Sequence, residues 1–226
     1  MAAGHGAGAP PAEDAEEGGT AGFVRHGIWH SAPRRETAGA PAQALIVVDA
    51  QTAFLSGADA VPDAERVAGR IALLLGAARE AGALVAHLRN DGEPGAPDEP
   101  GTPGWELYLP VAESAEEFIV PKNDDDGFSG TPLGGLLAGR GVGRVVIAGV
   151  LSEMCVSATV FGALEYGLEV VLPHDAHGTY GLDDIPAAVV SRVAEHALGS
   201  DPELVRSAEG VSFTRPPGPR RNGGTG

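Results

Sequence analysis

The chain has 226 residues, of which 43% are hydrophobic and 5% aromatic, and it carries 31 acidic against 15 basic residues. The resulting net charge of −16 argues against nucleic acid and anionic membranes as partners. It could favour a cationic substrate, but solubility is the simpler explanation of the charge. The single cysteine excludes an internal disulfide, and no apolar run reaches the length of a membrane span. We therefore expect a cytoplasmic protein with one substantial core.

Composition divides the chain into a central domain and two polar ends. Residues 1–22 and 216–226 are rich in Gly and Pro and have no apolar periodicity, so we predict disorder in both. Residues 23–43 contain several large apolar side chains and are predicted to pack as an arm on the domain or on a neighbouring subunit, which favours a homo-oligomer. The folded domain is predicted to span residues 44–215.

Within this domain, short apolar runs alternate with segments of helical periodicity. Ala44–Val48 is a continuous apolar run, as expected of a parallel strand buried on both faces. Ala64–Ala81 carries apolar residues at helical spacing and ends at Gly82. This alternation predicts an α/β three-layer sandwich, with helices on both faces of a six-stranded, mostly parallel sheet. The other predicted strands are Ala83–Leu88, Glu117–Val120, Val145–Ala148, Leu168–Leu172 and Glu203–Val205, and the other predicted helices are Thr131–Ala138, one that carries Cys155 and ends near Tyr166, and one that begins near Asp184.

Three chemically useful side chains fall where predicted strands end. Asp49 follows the first strand, Lys122 the third, and Cys155 lies in the first turn of the helix after the fourth. Unpaired N–H groups at a helix start favour a thiolate, which could attack a carbonyl carbon. Asp49 could move the thiol proton, and Lys122 could hold the carboxylate and lower the pKa of the thiol. A buried cysteine, a capping aspartate and a surface lysine are the structural alternatives.

Residues close to these strand ends are candidates for a substrate pocket. The stretch 90–104, rich in Gly, Pro and Asp, is too long for a simple connection, and such loops often cover a site. Core packing is the alternative for the aromatic candidates, and a loop position satisfied by backbone is the alternative for the histidine. The candidates for substrate contact are Gln51, Phe54, Trp105, Phe128 and His177.

The segments VVDAQTAF, PKNDDDGFSGTPL and GVLSEMCVSATV occur in this order and resemble the isochorismatase-like cysteine hydrolase superfamily. The resemblance covers roughly residues 42–206 and implies a six-stranded parallel sheet flanked by helices. It also implies that Asp49, Lys122 and Cys155 occupy the positions of the family's catalytic triad.

The same resemblance implies features of the backbone and of the cofactor requirement. A cis peptide bond is expected at Val150–Leu151, and the backbone N–H groups of Leu151 and Cys155 are expected to form an oxyanion hole. Nicotinamidases of the superfamily bind a metal through an Asp-x-His sequence after the second strand. This chain has HLRNDG at that place, so we expect neither a metal nor another cofactor, and nicotinamidase activity is disfavoured.

The amide-cleaving groups of the superfamily then remain: N-carbamoyl amidohydrolases, ureidoacrylate-type hydrolases and streptothricin hydrolases. The segments SEMCVSATVFGALEYG and IPAAVVSRVAEHALG resemble streptothricin hydrolase-like proteins most. The resemblance implies a metal-independent amidohydrolase that forms a thioester and opens a lactam, in a dimer or tetramer. The alternatives are vinyl-ether hydrolysis of isochorismate, which needs Asp49 but not Cys155, N-carbamoyl amide hydrolysis, and a binding module without catalysis.

Overall fold

The computed structural model describes residues 34–218 together with the backbone of residues 23–25 and 28–30. In the predicted arm, strands β1 (Phe23–Arg25) and β2 (Ile28–His30) pair antiparallel. The disorder predicted for residues 1–22, and for all but three residues of the tail, falls outside the described residues.

The described part of the domain contains one central sheet in which every registered pairing is parallel. Its strands are β3 (Ala44–Val48), β4 (Leu84–Asn90), β5 (Glu117–Lys122), β6 (Arg144–Val150), β7 (Glu169–Pro173), β8 (His177–Gly178) and β9 (Glu203–Val205). Six of them lie in the order β5-β4-β3-β6-β7-β9, and the short β8 pairs with the end of β6. The predicted six-stranded parallel sheet is therefore confirmed, with β8 as an addition.

Helices cover both faces of the sheet because its central strands are apolar on both sides. The helices are α1 (Thr52–Leu55), α2 (Ala64–Ala81), α3 (Leu133–Gly139), α4 (Ser157–Glu165) and α5 (Ala187–Ala197). The odd-numbered residues of β3 belong to the core cluster that contains α2, and the even-numbered residues belong to the cluster that contains α3 and α4. This arrangement is the predicted three-layer sandwich. None of these helices is long and apolar enough to cross a membrane.

The turn that carries the cysteine differs from the prediction. Residues Ser152–Val156 form a separate π-type turn, and the regular helix α4 begins only at Ser157. Inside the turn, Met154 has φ −110° and ψ −107°, which lies outside the helical region. Cys155 therefore does not occupy the first turn of a regular helix, and that prediction was wrong.

The direction of the strand order reverses between β3 and β6, and ligands of open parallel sheets bind at such a point. Gly149 of β6 brings the two strands together there. It has φ +136°, and a Cβ atom at this position would lie 2.0 Å from the carbonyl oxygen of Val48. Glycine is thus required both by the backbone conformation and by the close approach of β3.

We expect Gly149→Ala to lower the free energy of unfolding by more than about 2 kcal/mol, because the methyl group would meet backbone atoms that cannot rotate away. Gly76→Ala in α2 is the matched control. Nothing lies within 4 Å of the added methyl group, and alanine favours a helix interior by about 0.5–1 kcal/mol. Urea denaturation measures both variants. Equal unfolding free energies for Gly149→Ala and the wild type would contradict this account.

Candidate active site

The side chains of Asp49, Lys122 and Cys155 form a continuous chain of contacts at the carboxyl edge of the sheet. The Nζ atom of Lys122 lies 2.8 Å from Asp49 Oδ2 and 3.5 Å from Cys155 Sγ. Asp49 and Lys122 are both buried, and Cys155 is partly exposed. The structure thus brings the three predicted residues together, with the lysine ammonium between the carboxylate and the thiol.

Asp49 has an unusual backbone conformation, and one of its two carboxylate oxygens accepts no hydrogen bond from the described residues. Its φ of +47° lies in the left-handed region, which costs a residue other than glycine roughly 1–2 kcal/mol and is enriched at functional sites. Lys122 donates to Oδ2, whereas the buried Oδ1 has no hydrogen-bond partner among the described residues. An unpaired buried carboxylate oxygen is ready to accept a proton from a reacting group.

Further polar groups surround the lysine and hold it in place. Lys122 Nζ also donates to the carbonyl oxygen of Asp124, at 3.1 Å, and lies 3.4 Å from Asn90 Oδ1. The Asn90 amide group in turn donates to Asp98 Oδ2 at 2.7 Å, and Asp98 is 5% exposed. Neither Asn90 nor Asp98 was among the residues predicted from the sequence. The signal was available for Asn90, which ends a strand at the same edge as the triad.

The electrostatics of the site differ from the prediction of a thiolate. Burial raises the pKa of the Cys155 thiol well above its ordinary value and the charge of Asp49 raises it further, although Lys122 lowers it. Burial also raises the pKa of Asp49, against the effect of Lys122. Burial alone would lower the pKa of Lys122, but the neighbouring carboxylate and thiol outweigh it, so this pKa is raised as well. A protonated thiol therefore lies beside an ammonium group and a carboxyl group of increased basicity.

An acidic loop follows β5 and reaches the thiol. Cys155 Sγ lies 3.4 Å from Oδ1 of Asp125, which is exposed. The loop is anchored on helix α4, because the backbone N–H of Gly127 donates to the buried Thr159 Oγ1 at 3.1 Å. Asp125 is therefore held at the entrance to the nucleophile, where an incoming molecule would meet it.

A cavity of about 510 Å³ is lined by Lys122 and by residues of the loop that follows it, whereas Asp49 and Cys155 are not part of its lining. Asp91 and Asp124 contribute acidic side chains to its wall, and Asp124 Oδ2 accepts a hydrogen bond from Ser129 at 3.0 Å. Each carboxylate keeps room for further donors, since an ionised carboxylate accepts several hydrogen bonds. Acidic side chains thus line this cavity beside the lysine.

Gln51 is a buried residue whose side-chain amide is bonded to the backbone. It is 0% exposed, and its Nε2 donates to the carbonyl oxygens of Asn90, at 3.0 Å, and Trp105, at 3.1 Å. Its Oε1 accepts the backbone N–H of Asn90 at 2.9 Å. Because its amide is engaged with the backbone of the 90–105 loop, Gln51 positions that loop, and its contact with substrate stays a prediction.

Trp105 and Phe54 lie at the edge of the site. Trp105 Nε1 donates to Asp91 Oδ1 at 2.7 Å, and the guanidinium carbon of Arg89 lies 3.5 Å from the centre of a Trp105 ring. Through Asp91 the indole borders the acidic cavity. Phe54 is partly buried against the α2 side of the core. Substrate contact by either residue stays a prediction.

Phe128 and His177 are buried, as core packing would have it, and their contact with substrate stays a prediction. Phe128 is 4% exposed in the α3 and α4 core, where its ring centroid lies 4.9 Å from that of Tyr166. His177 is 1% exposed, with Nδ1 2.8 Å from Ser152 Oγ and Nε2 3.2 Å from Glu195 Oε1. Both ring nitrogens are thus engaged within the protein, and His177 supports the start of the cysteine turn.

The backbone before the cysteine agrees with the resemblance. The Val150–Leu151 peptide bond is cis. The carbonyl oxygen of Leu151 accepts the N–H groups of Met154 and Val156, at 3.2 and 3.1 Å, and so closes the turn around Cys155. The role of the Leu151 and Cys155 N–H groups as an oxyanion hole stays a prediction.

The family model described as an isochorismatase domain matches residues 43–198. The chain therefore belongs to the isochorismatase family, and the predicted superfamily is confirmed.

The chain is also similar to individual proteins of known name and structure. A streptothricin hydrolase of Streptomyces noursei is 57% identical over 182 residues, which cover 77% of this chain and 66% of that protein. A second streptothricin hydrolase of the same organism is 54% identical over 204 residues, which cover 86% and 81%. Among solved structures, an isochorismatase from Pseudomonas putida KT2440 has a TM-score of 0.68 at 30% identity and covers 77% of this chain and 94% of its own. The chain thus spans just under two thirds of the first relative's length.

The electrostatic arrangement predicts an unusual response of the thiol to mutation. Asp49→Asn removes the negative charge that raises the pKa of Cys155 and leaves the Lys122 ammonium beside it. We expect iodoacetamide to alkylate Cys155 in this variant faster than in the wild type at neutral pH, by about tenfold or more, as is typical when one close charge is removed. Mass spectrometry follows the alkylation, and thermal melting checks that the variant is folded. A slower reaction in a folded variant would disprove the assignment of Asp49 as the charge that opposes the thiolate.

Proposed function

We propose that this chain is a metal-independent cysteine amidohydrolase, which cleaves a C–N amide bond through a thioester, and that it opens the lactam of a streptothricin-type antibiotic. One observation carries the proposal: Lys122 joins Asp49 to Cys155 while the second oxygen of Asp49 is unpaired among the described residues. Two streptothricin hydrolases at 57% and 54% identity support the substrate.

In the first half of the reaction, Asp49 Oδ1 accepts the thiol proton as the sulfur attacks the carbonyl carbon. The raised pKa of Asp49 suits it to this role as a base. A carbon–sulfur bond forms, and the carbonyl electron pair moves to the oxygen, which the N–H groups of Leu151 and Cys155 stabilise. The tetrahedral intermediate collapses, the C–N bond breaks, and Asp49 returns the proton to the leaving nitrogen. A lactam opened in this way remains attached to the enzyme as a thioester.

In the second half, water takes the place of the thiol. The oxygen of the water molecule attacks the thioester carbon while Asp49 accepts a proton from that water. The carbon–sulfur bond then breaks. The proton then returns to the sulfur of Cys155, which restores the neutral thiol. Throughout both steps, the Lys122 ammonium fixes the carboxylate through Oδ2 and stabilises developing negative charge on the sulfur. The product carries a new carboxylate and a free amine.

Cys155→Ala is expected to lower amide hydrolysis by at least about 10³-fold and to abolish trapping of an acyl-enzyme, because no other thiol is present in the chain. Circular dichroism should show the same fold, since alanine is smaller than the partly exposed cysteine. Full amide hydrolysis in this variant would rule out the thiol mechanism. Retained turnover of isochorismate would instead favour the vinyl-ether reaction, which needs only Asp49 as an acid.

The substrate is tested directly by mass. Incubation of the wild-type protein with streptothricin should give a product heavier by one water, because hydrolysis of a lactam adds water without releasing a fragment. Cys155→Ala serves as the control for spontaneous opening. An unchanged mass after long incubation with active enzyme would rule out streptothricin as the substrate. The proposal of amide hydrolysis in general would still stand.

The negative surroundings of the site support a cationic substrate. Asp125 lies at the thiol, Asp91 and Asp124 line the adjoining cavity, and the whole chain carries a net charge of −16. Exposed charges of this kind raise the local concentration of a cation, and salt weakens the effect.

We expect Asp125→Asn to raise KM for a cationic amide by roughly two- to fivefold, the effect of one exposed and partly screened charge. KM for a neutral amide should change less, and the difference should shrink in high salt. Asp201→Asn is the matched control: Asp201 is exposed and precedes β9, at the opposite edge of the sheet. Steady-state kinetics with both substrates separate the cases, and an equal increase in KM for Asp201→Asn would show a general effect of net charge.

We also propose a cytoplasmic location and a homo-oligomeric state. The location is supported by the absence of any possible intramolecular disulfide in a chain with one cysteine. The apolar residues of the N-terminal arm support association with a second copy. Gel filtration coupled to light scattering measures the oligomeric state.

A further inference from the structure

A second cluster of chemically active side chains lies next to the cysteine turn and takes no part in the proposed reaction. His174 and His177 both contact Oε1 of Glu195, with His174 Nδ1 at 2.7 Å and His177 Nε2 at 3.2 Å. The two ring nitrogens and a carboxylate oxygen all lie within 4.8 Å of one another. Two imidazoles and one carboxylate are a ligand set that zinc and similar divalent metals prefer, whereas magnesium and calcium prefer oxygen ligands alone.

We propose that His174, His177 and Glu195 form a binding site for a divalent transition metal of the zinc type. The ligands come from the turn after β7, from β8 and from α5, so the metal would connect three elements. His177 and Glu195 are buried, whereas the side chain of His174 is 38% exposed and leaves a path from solvent. Three protein ligands would leave a fourth coordination position for water, as is usual at open zinc sites.

The surroundings already orient two of the three ligands. Arg34 binds the other oxygen of Glu195, Oε2, and Arg192 Nε lies 3.7 Å from the same atom. Ser152 Oγ holds His177 Nδ1 at 2.8 Å. Such outer partners are typical of metal sites, because they fix the orientation of the ligands and the tautomer of the histidine. The two arginines act on Oε2, so Oε1 remains the oxygen that faces the histidines.

The hydrogen-bond network can also supply the required tautomer. A metal on His177 Nε2 requires the ring proton on Nδ1, which then donates to Ser152 Oγ. The Ser152 hydroxyl then turns to Ser191 Oγ, 3.0 Å away, without gain or loss of a proton. On His174 the proton moves to Nε2. The metal would thereby fix Ser152, the first residue of the turn that carries Cys155, without touching the thiol.

Cobalt(II) is the probe, because its visible spectrum distinguishes four-coordinate from six-coordinate sites. Titration of the full chain, freed of any affinity tag, should give one equivalent of bound cobalt with a four-coordinate spectrum that zinc displaces. His174→Ala should weaken the binding by at least about tenfold, since loss even of an outer partner of a ligand commonly costs 10- to 100-fold. His174 is the most exposed of the three ligands, so this variant should keep its fold.

His196→Ala is the matched control, because His196 lies on α5 directly after Glu195 and is exposed. It should leave the cobalt affinity unchanged. Zinc should also raise the melting temperature of the wild type and of His196→Ala but not that of His174→Ala, since a ligand of the native state alone stabilises it. Cobalt binding that is absent, six-coordinate, or equal in affinity for His174→Ala and the wild type would overturn the proposal.

Discussion

The buried ammonium group of Lys122 is the charge around which the active site is built. An isolated charge in a protein interior costs several kcal/mol unless opposite charge and hydrogen-bond acceptors compensate it. Here Asp49 compensates the charge, and the carbonyl oxygen of Asp124 accepts a further hydrogen bond. Because these partners come from different segments, the lysine can be buried only when the ends of β3 and β5 have met. The need to compensate one charge thus joins the fold to the site.

The sheet supplies the precision that this arrangement needs. Parallel strands end at a common edge, and Gly149 allows β6 to approach β3 more closely there than any side chain would permit. The left-handed conformation of Asp49 turns the chain immediately after β3. Two residues later, the buried side chain of Gln51 donates hydrogen bonds to the backbone at both ends of the 90–105 loop. Backbone geometry therefore places the carboxylate, and a buried amide fixes the loop beside it.

Features set by neighbouring residues could be predicted from the sequence, whereas features set by residues distant along the chain could not. Strands are marked by short apolar runs, so the residues that follow them, Asp49, Lys122 and Cys155, could be located from the sequence. The direction of a loop side chain depends on distant contacts: Phe128 enters the core in a loop whose backbone is anchored on α4. The pKa of the thiol depends on burial and on a carboxylate more than one hundred positions away along the chain, and no local pattern reports either.

If the substrate is a cation, as proposed, the acidic loop would link its recognition to the chemistry of the thiol. The exposed carboxylate of Asp125 also raises the pKa of Cys155, although less than burial and Asp49 do. A substrate cation bound to Asp125 would neutralise the charge that faces the sulfur. With that charge neutralised, the pKa of the thiol would fall, which favours proton transfer to Asp49. The neutral thiol of the free enzyme fits such an order of events, in which the nucleophile would become reactive only with a substrate of positive charge bound.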